Sequence, residues 1–157
     1  MTDKKIGFIG LGNMATAMIG GMLKKQMVQP GNIIGKARTQ GTEDKVRERF
    51  HIQVAASNAD VAAEADVLFL AVKPVFLDGV IAEIREAFEK CSLLINGSGP
   101  AIDSWSLGEW HERTKKPYGF YGISADGLWT EKKKMLLNDA DFIFCRDSLS
   151  QYFLHQQ

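Results

Sequence analysis

The sequence predicts an α/β fold: a doubly wound, mainly parallel sheet that is incomplete and ends in an irregular C-terminal tail. Three observations predict it. Short apolar runs alternate with helix-spaced segments through residue 95, which is the rhythm of a parallel sheet with right-handed crossovers. The first apolar run ends in a glycine-rich turn. From about Asn96 the alternation lapses, and ten of the fifteen aromatic residues lie between Trp105 and Phe153. At 157 residues, with 45% hydrophobic and 24% charged residues, the chain is sized for one domain, or one domain with an appendage. It can bury a core without disulfides or a structural metal. Nineteen basic residues balance nineteen acidic ones, which argues against a nucleic-acid coat or a basic membrane-surface binder.

Each element has a local reason. Lys5 to Gly10 is a short apolar strand. Met14, Met18, Ile19, Met22 and Leu23 then recur at helical spacing, and the helix ends on Lys24-Lys25, where the dipole favours cations. Pro30-Gly31 breaks the chain before a second strand at 32–36. The charged stretch 41–50 is an exposed helix, followed by a small strand at 52–55. Ser57 or Asn58 caps a short helix that runs to about Glu64. Val67 to Val72 is an uninterrupted apolar run, expected of a parallel strand buried on both faces. Pro74 opens the next helix, whose apolar face carries Val80, Ile81, Ile84 and Phe88, and 92–95 is a further strand.

Gly10-Leu11-Gly12-Asn13-Met14-Ala15 is a GxGxxA pattern between a strand and a helix, the context that makes it a dinucleotide signature of the Rossmann type. Gly10 permits the tight turn, Gly12 leaves the pyrophosphate unobstructed, and Ala15 lets the helix approach the strand. The phosphates then rest on free N–H groups at the helix N-terminus. Gly20 and Gly21 lower helix propensity and so imply close packing at that point. A NAD site usually places an acid at the end of the second strand, but this stretch reads Lys36-Ala37-Arg38-Thr39-Gln40, with no acid before Glu43. Arginine beside a hydroxyl suits a 2′-phosphate, so NADPH is preferred over NADH. Lys36 and Arg38 are alternatively no more than solvated surface charges. Ala71-Val72-Lys73-Pro74 lies at the switch-point edge of the sheet, where Lys73 faces either a phosphate or solvent. Asn58 is foremost a helix cap and can also contact a ligand.

On these residues, 4–95 resembles the N-terminal domain of the pyrroline-5-carboxylate reductase family. The matching text is Ile6 to Gly21, Asn32-Ile33-Ile34-Gly35, and Ala65 to Pro74. The opening also fits 3-hydroxyisobutyrate and 6-phosphogluconate dehydrogenases, whereas Ala15-x-Ala17-Met18-Ile19-Gly20-Gly21 and Ala71-Val72-Lys73-Pro74 are more specific to the reductase. The resemblance implies a Rossmann domain, reduction of a cyclic imine, 1-pyrroline-5-carboxylate, to proline, and NADP(H) as cofactor with NAD(H) as a possible substitute. It carries the family's cofactor contacts onto Gly10, Leu11, Gly12, Asn13, Met14, Arg38, Thr39, Asn58, Ala71, Val72, Lys73 and Pro74. It assigns no catalytic side chain and no metal. A related β-hydroxyacid-dehydrogenase-type reductase and a non-catalytic NADPH-binding module stand as alternatives.

Past residue 95 the match fails. Asn96 to Pro100 and Ile102 to Ser104 only faintly resemble the family's next turn and helix. The family's sixth-strand motif and its dimer-building helical domain are not found. The expected division is therefore 1–104 as the dinucleotide-binding domain and 105–157 as a divergent tail, poorly packed on the sheet. That tail is either a natural appendage or out-of-frame translation. The remaining chemistry is thin. Glu109-x-His111-Glu112 is a surface cluster, Lys132 to Lys134 a solvated helix face, His51 and His155 are isolated, and Cys145 is a packed thiol. Absence of an apolar run of about 18 residues and of a leader pattern, with no CxxC among two cysteines, predicts a reduced cytoplasmic protein that engages neither nucleic acid nor membrane.

Overall fold

The computed structural model describes residues 1–87, 91–97, 105–123 and 130–145, with the side chains of 74, 105–107 and 109 outside that description. Phe88, the turn at 98–100, the segment 102–104 and His155 therefore lie outside the described residues.

Among the described residues seven strands form one sheet in the order β3-β2-β1-β4-β5-β6-β7, and every neighbouring pair is parallel. In chain order the elements begin β1 (Ile6–Ile9), α1 (Asn13–Lys24), a single 3-10 turn (Pro30–Asn32), β2 (Ile33–Lys36) and α2 (Gln40–Phe50). They continue with β3 (Gln53–Val54), α3 (Asn58–Glu64), β4 (Val67–Leu70), α4 (Pro74–Ile84) and β5 (Leu93–Asn96). The last are α5 (Trp105–Thr114), β6 (Tyr118–Ile123), α6 (Glu131–Asn138) and β7 (Phe142–Cys145). β1 is central: Ile6 pairs with Ile33 of β2 on one side and with Val67 of β4 on the other. Chain order reverses there, which makes the C-terminal ends of β1 and β4 the switch point of the sheet.

Alternation along the strands divides the core in two. Ile6, Phe8, Ile33, Phe69 and Ile95 pack with Ala15 and Ile19 of α1 and Val46 of α2. Ile9, Ile34, Leu68, Leu70 and Leu94 pack on the other face with Val61 of α3, Leu77, Ile81 and Ile84 of α4, and Trp110 of α5. Phe8 and Phe69 stack with centroids 4.7 Å apart, adding an aromatic contact to the burial of both rings. Two close approaches need glycine. A Cβ on Gly7 would fall 2.7 Å from the Ala65 Cβ, so α3 sits tightly on β1; one on Gly35 would fall 2.7 Å from a Leu11 methyl.

Two expectations are corrected. Gly20 and Gly21 do not mark close packing: a Cβ on Gly20 would make ordinary contact with Phe50, and one on Gly21 would meet nothing within 4 Å. The tail is not irregular over its described part, because α5, β6, α6 and β7 extend the same parallel sheet. Trp110, Tyr118, Phe120 and Ile123 are buried in the core. Glycine hides the pattern. In β6 the apolar positions are interrupted by Gly119 and Gly122, and a Cβ on Gly119 would fall 2.5 Å from the Phe142 ring of β7. An aromatic ring filling a glycine vacancy on the next strand leaves no period of two in either strand alone.

On the α1 face the helices stop short of β5 to β7 among the described residues. An apolar groove of about 590 Å³ runs there, lined by Met14, Met18, Met22, Phe69, Tyr121 and Phe144. No described helix is long and apolar enough to cross a membrane. Neither cysteine is joined in a disulfide.

Cys91 is fully buried and its Sγ–H donates to the Ala62 carbonyl at 3.5 Å. Burial pushes the thiol pKa from 9.0 to about 11. Burial, with Asp139 and Asp141 nearby, pushes the Tyr118 phenol from 10.0 to about 12. Between pH 9 and 11 the folded thiol therefore keeps a proton that the unfolded chain has lost, so stability falls as pH rises through that window. Tyr118 acts with the same sign between pH 10 and 12. Urea midpoints measured from pH 8 to 11 are expected to decline, and Cys91→Ala is expected to flatten the decline above pH 9. Parallel curves for the two proteins would remove Cys91 from the account.

Candidate functional site

The site begins at the strand-to-helix turn after β1. Gly10 adopts φ +97, and a Cβ there would lie 2.4 Å from the Ala71 carbonyl oxygen. The Gly10 N–H donates to the Lys36 carbonyl at 2.9 Å, and the Ala71 N–H donates to Ile9 at 2.8 Å. One glycine thus ties the ends of β1, β2 and β4 together. Gly12 is the N-cap of α1, with no side-chain cap and no acid in the first helical turn. The first helix bond is the Thr16 N–H to the Gly12 carbonyl, so the amides of the opening turn have no side chain competing for them. A Cβ on Gly12 would meet nothing within 4 Å. An uncapped helix of twelve residues with open space above its first turn suits an anion.

Beside this turn lies a cleft of about 470 Å³ between the ends of β1 and β2 and helix α4. Its apolar wall is built from Ile9, Val72, Val75, Phe76 and Val80, and its polar groups are Lys36, Arg38, Ser57, Asn58 and Glu83. Two of these are committed locally. Lys36 Nζ pairs with the buried Glu43 carboxylate at 2.9 Å, and the Ala37 N–H donates to the same oxygen at 3.1 Å. Ser57 closes a capping box with Asp60. Arg38 pairs with no acid among the described residues, and its guanidinium lies over the Phe76 ring, 4.9 Å from the centroid. The Asn58 amide donates to the Glu83 carboxylate at 2.8 Å, joining the start of α3 to α4.

The sequence-derived contacts divide accordingly. Gly10, Arg38, Asn58 and Val72 line the cleft, as does Lys36. Gly12 and Asn13 are exposed at the head of α1. Leu11 is buried against Gly35 and is a core residue. Met14 turns to the opposite groove, close to Gly97 and Gly122. Thr39 and Lys73 are exposed N-caps of α2 and α4 and fall outside the cleft lining. Thr39 pairs with the Thr42 hydroxyl at 2.9 Å. Ala71 shapes the site through its backbone, and Pro74 opens α4, its side chain lying outside the described residues. Ser57, not Asn58, caps α3, which leaves the Asn58 amide free to reach across to Glu83. Sequence reading missed Val75, Phe76, Gly79 and Glu83. Their signal was an exposed aromatic and an acid on a helix read only for its apolar face.

Elsewhere, His111 and Glu112 line a second cavity with Asp139, and His111 Nδ1 lies 2.8 Å from the Lys116 carbonyl. Among the described residues no group of three or more His, Cys, Asp or Glu could hold a metal ion.

A parallel sheet with an uncapped, glycine-opened helix at its switch point, beside a cleft holding an arginine with no acidic partner among the described residues, defines a dinucleotide-binding domain of the Rossmann class. The chain belongs to the family described as NADP oxidoreductase, coenzyme F420-dependent, whose model matches residues 5–97. Its curated relatives include the pyrroline-5-carboxylate reductase of Escherichia coli, 36% identical over 112 residues, which are 71% of this chain and 42% of that one. That of Pseudomonas aeruginosa is 38% identical over 98 residues, 61% and 35% of the two chains. This chain thus spans less than half the length of the curated relatives it matches. Among solved structures, the pyrroline-5-carboxylate reductase of Coxiella burnetii has the same fold, with a TM-score of 0.67 at 19% identity over 92% of this chain and 59% of that one. An imine reductase from Myxococcus stipitatus gives 0.64 at 15% identity, covering 99% and 61%.

The two motif glycines make different demands. Gly10→Ala combines a left-handed backbone with overlap on a carbonyl, and a loss of about 3 kcal/mol or more of unfolding free energy is expected. Gly12→Ala is expected to cost well under about 1 kcal/mol, because its φ is −76 and its methyl meets open space. Denaturant titrations of the two variants check this, and equal losses would refute it.

Proposed function

We propose that the chain binds NADPH, with the pyrophosphate on the first turn of α1 and the 2′-phosphate at Arg38. The single observation that carries this is the pairing of Lys36 with Glu43 at 2.9 Å. It withdraws from the ribose the acid that a NAD site would offer, and it leaves Arg38 as the cation without an acidic partner among the described residues lining the cleft. The guanidinium fork matches a phosphate through two charge-assisted bonds. NADH lacks that phosphate and keeps only the contacts of the turn.

The reaction proposed is that of the relatives: reduction of the cyclic imine 1-pyrroline-5-carboxylate to L-proline in the cytoplasm. This chain carries mainly the cofactor-binding half. NADPH supplies the hydride when bound; the chain's own residues position and enclose it. Gly10 and Gly12 let the backbone approach the diphosphate, and Val72 and the wall of α4 exclude water from the nucleoside. A protonated imine is electrophilic without further help, and the reading assigns no acid-base side chain to the step. Residues 1–104 are proposed as the unit that holds the dinucleotide.

Two variants test the binding geometry. Arg38→Ala is expected to weaken NADPH by about 1–3 kcal/mol, the loss of charged hydrogen bonds, with NADH nearly unchanged in calorimetric titration. Equal losses for both would place the 2′-phosphate elsewhere. Gly12→Val is expected to abolish both cofactors while the circular dichroism spectrum persists; retained binding would remove the pyrophosphate from α1. Hydride transfer to the imine is followed by loss of NADPH absorbance, and binding without turnover would mark a nucleotide-binding module.

A further inference from the structure

Two polar side chains of the cleft, Asn58 and Glu83, have no part in holding the phosphates. Asn58 begins α3 and is not its cap, because Ser57 fills that role. Glu83 stands on α4, 25 residues away in sequence, and makes no ion pair among the described residues. The two meet through one bond, Asn58 Nδ2 donating to Glu83 Oε2 at 2.8 Å, and both line the cleft. An amide that spends one N–H on a carboxylate has a second N–H to offer, and the carboxylate keeps lone pairs on both oxygens. The pair is therefore a donor set beside an acceptor.

Val75, Phe76, Gly79 and Val80, on the same helix as Glu83, also line the cleft and give it an apolar wall with an aromatic ring. The Arg38 guanidinium lies over the Phe76 ring. An apolar, aromatic-bearing wall, with a cation and a donor-acceptor pair in the same cleft, suits a heterocyclic base joined to a phosphorylated ribose.

We infer that Glu83, positioned by Asn58, reads the edge of the purine and selects adenine. The adenine 6-amino group donates to the Glu83 carboxylate, and N1 accepts from the remaining Asn58 N–H. Hypoxanthine and guanine carry a 6-oxo group and an N1–H, which reverses both positions and sets a carbonyl oxygen against a carboxylate. The inference rests on the NADPH reading above, since it presumes that the adenosine half occupies this cleft. It adds that the cleft discriminates between bases as well as between ribose phosphates.

The probe is the deaminated cofactor, in which hypoxanthine replaces the adenine of NADPH. Binding of each dinucleotide to the full chain and to Glu83→Gln is followed by calorimetry or by protein fluorescence quenching. Glu83 is exposed and the substitution is isosteric, so the fold is retained and checked by circular dichroism. The wild-type chain is expected to bind NADPH roughly ten-fold more tightly than the deaminated form, the worth of one charged hydrogen bond. In Glu83→Gln the ratio is expected to fall toward one, chiefly through gain of the deaminated form, because an amide can turn either a donor or an acceptor to the base. Equal binding of the two cofactors by the wild type overturns base reading and leaves the NADPH site standing. An unchanged ratio in Glu83→Gln removes Glu83 from the role. Binding of neither cofactor by the wild type overturns the NADPH reading, and base reading with it.

Discussion

Gly10 and Ala71 meet so closely that a methyl group on Gly10 would fall 2.4 Å from the Ala71 carbonyl oxygen. That approach, at a backbone angle only glycine adopts readily, brings the ends of β1 and β4 together where the sheet changes direction. The rest of the site follows from it. The chain leaving β1 turns into α1 with its amides uncapped, and the chain leaving β4 turns into α4 a short distance away. The cleft is the gap between those departures, walled by α4 and floored by the end of β2.

The charges around this gap are settled by burial more than by count. Glu43 is almost inaccessible to solvent, and it holds Lys36 and the Ala37 amide at once. A buried carboxylate with a cation and an amide donor is satisfied. Its effect on the site is subtractive: one of the two basic residues at the end of β2 is neutralised from below, and the other is left to face the opening. Arg38 occupies itself with the Phe76 ring, a contact weak enough in water to give way to a phosphate.

Through Asn96 the elements were legible because each carries its own signal: an apolar run, a proline or glycine break, a helical spacing. Strand and helix bounds there differ from expectation by one or two residues, the ordinary fraying of element ends. The turn after β1 was legible for the same reason, since a glycine at positive φ and a glycine opening a helix are both visible as glycine. What escaped was pairwise. The Leu11 side chain packs on Gly35, and Asn58 reads as a cap until Ser57 takes the cap and Glu83 takes the amide. β6 and β7 escaped because their regularity exists only between strands, with Phe142 lying in the space that Gly119 leaves.

The two margins of the sheet are unlike. One ends on β3, two residues long and carrying an exposed glutamine. The other ends on β7, four residues of Phe-Ile-Phe-Cys with Phe144 more than half exposed, and among the described residues no strand lies beyond it. A short polar margin gives another strand little to pair with, whereas a longer aromatic one brings apolar surface to the sheet edge. The margin beside β2 is thus short and polar, and the margin at β7 is longer and aromatic among the described residues.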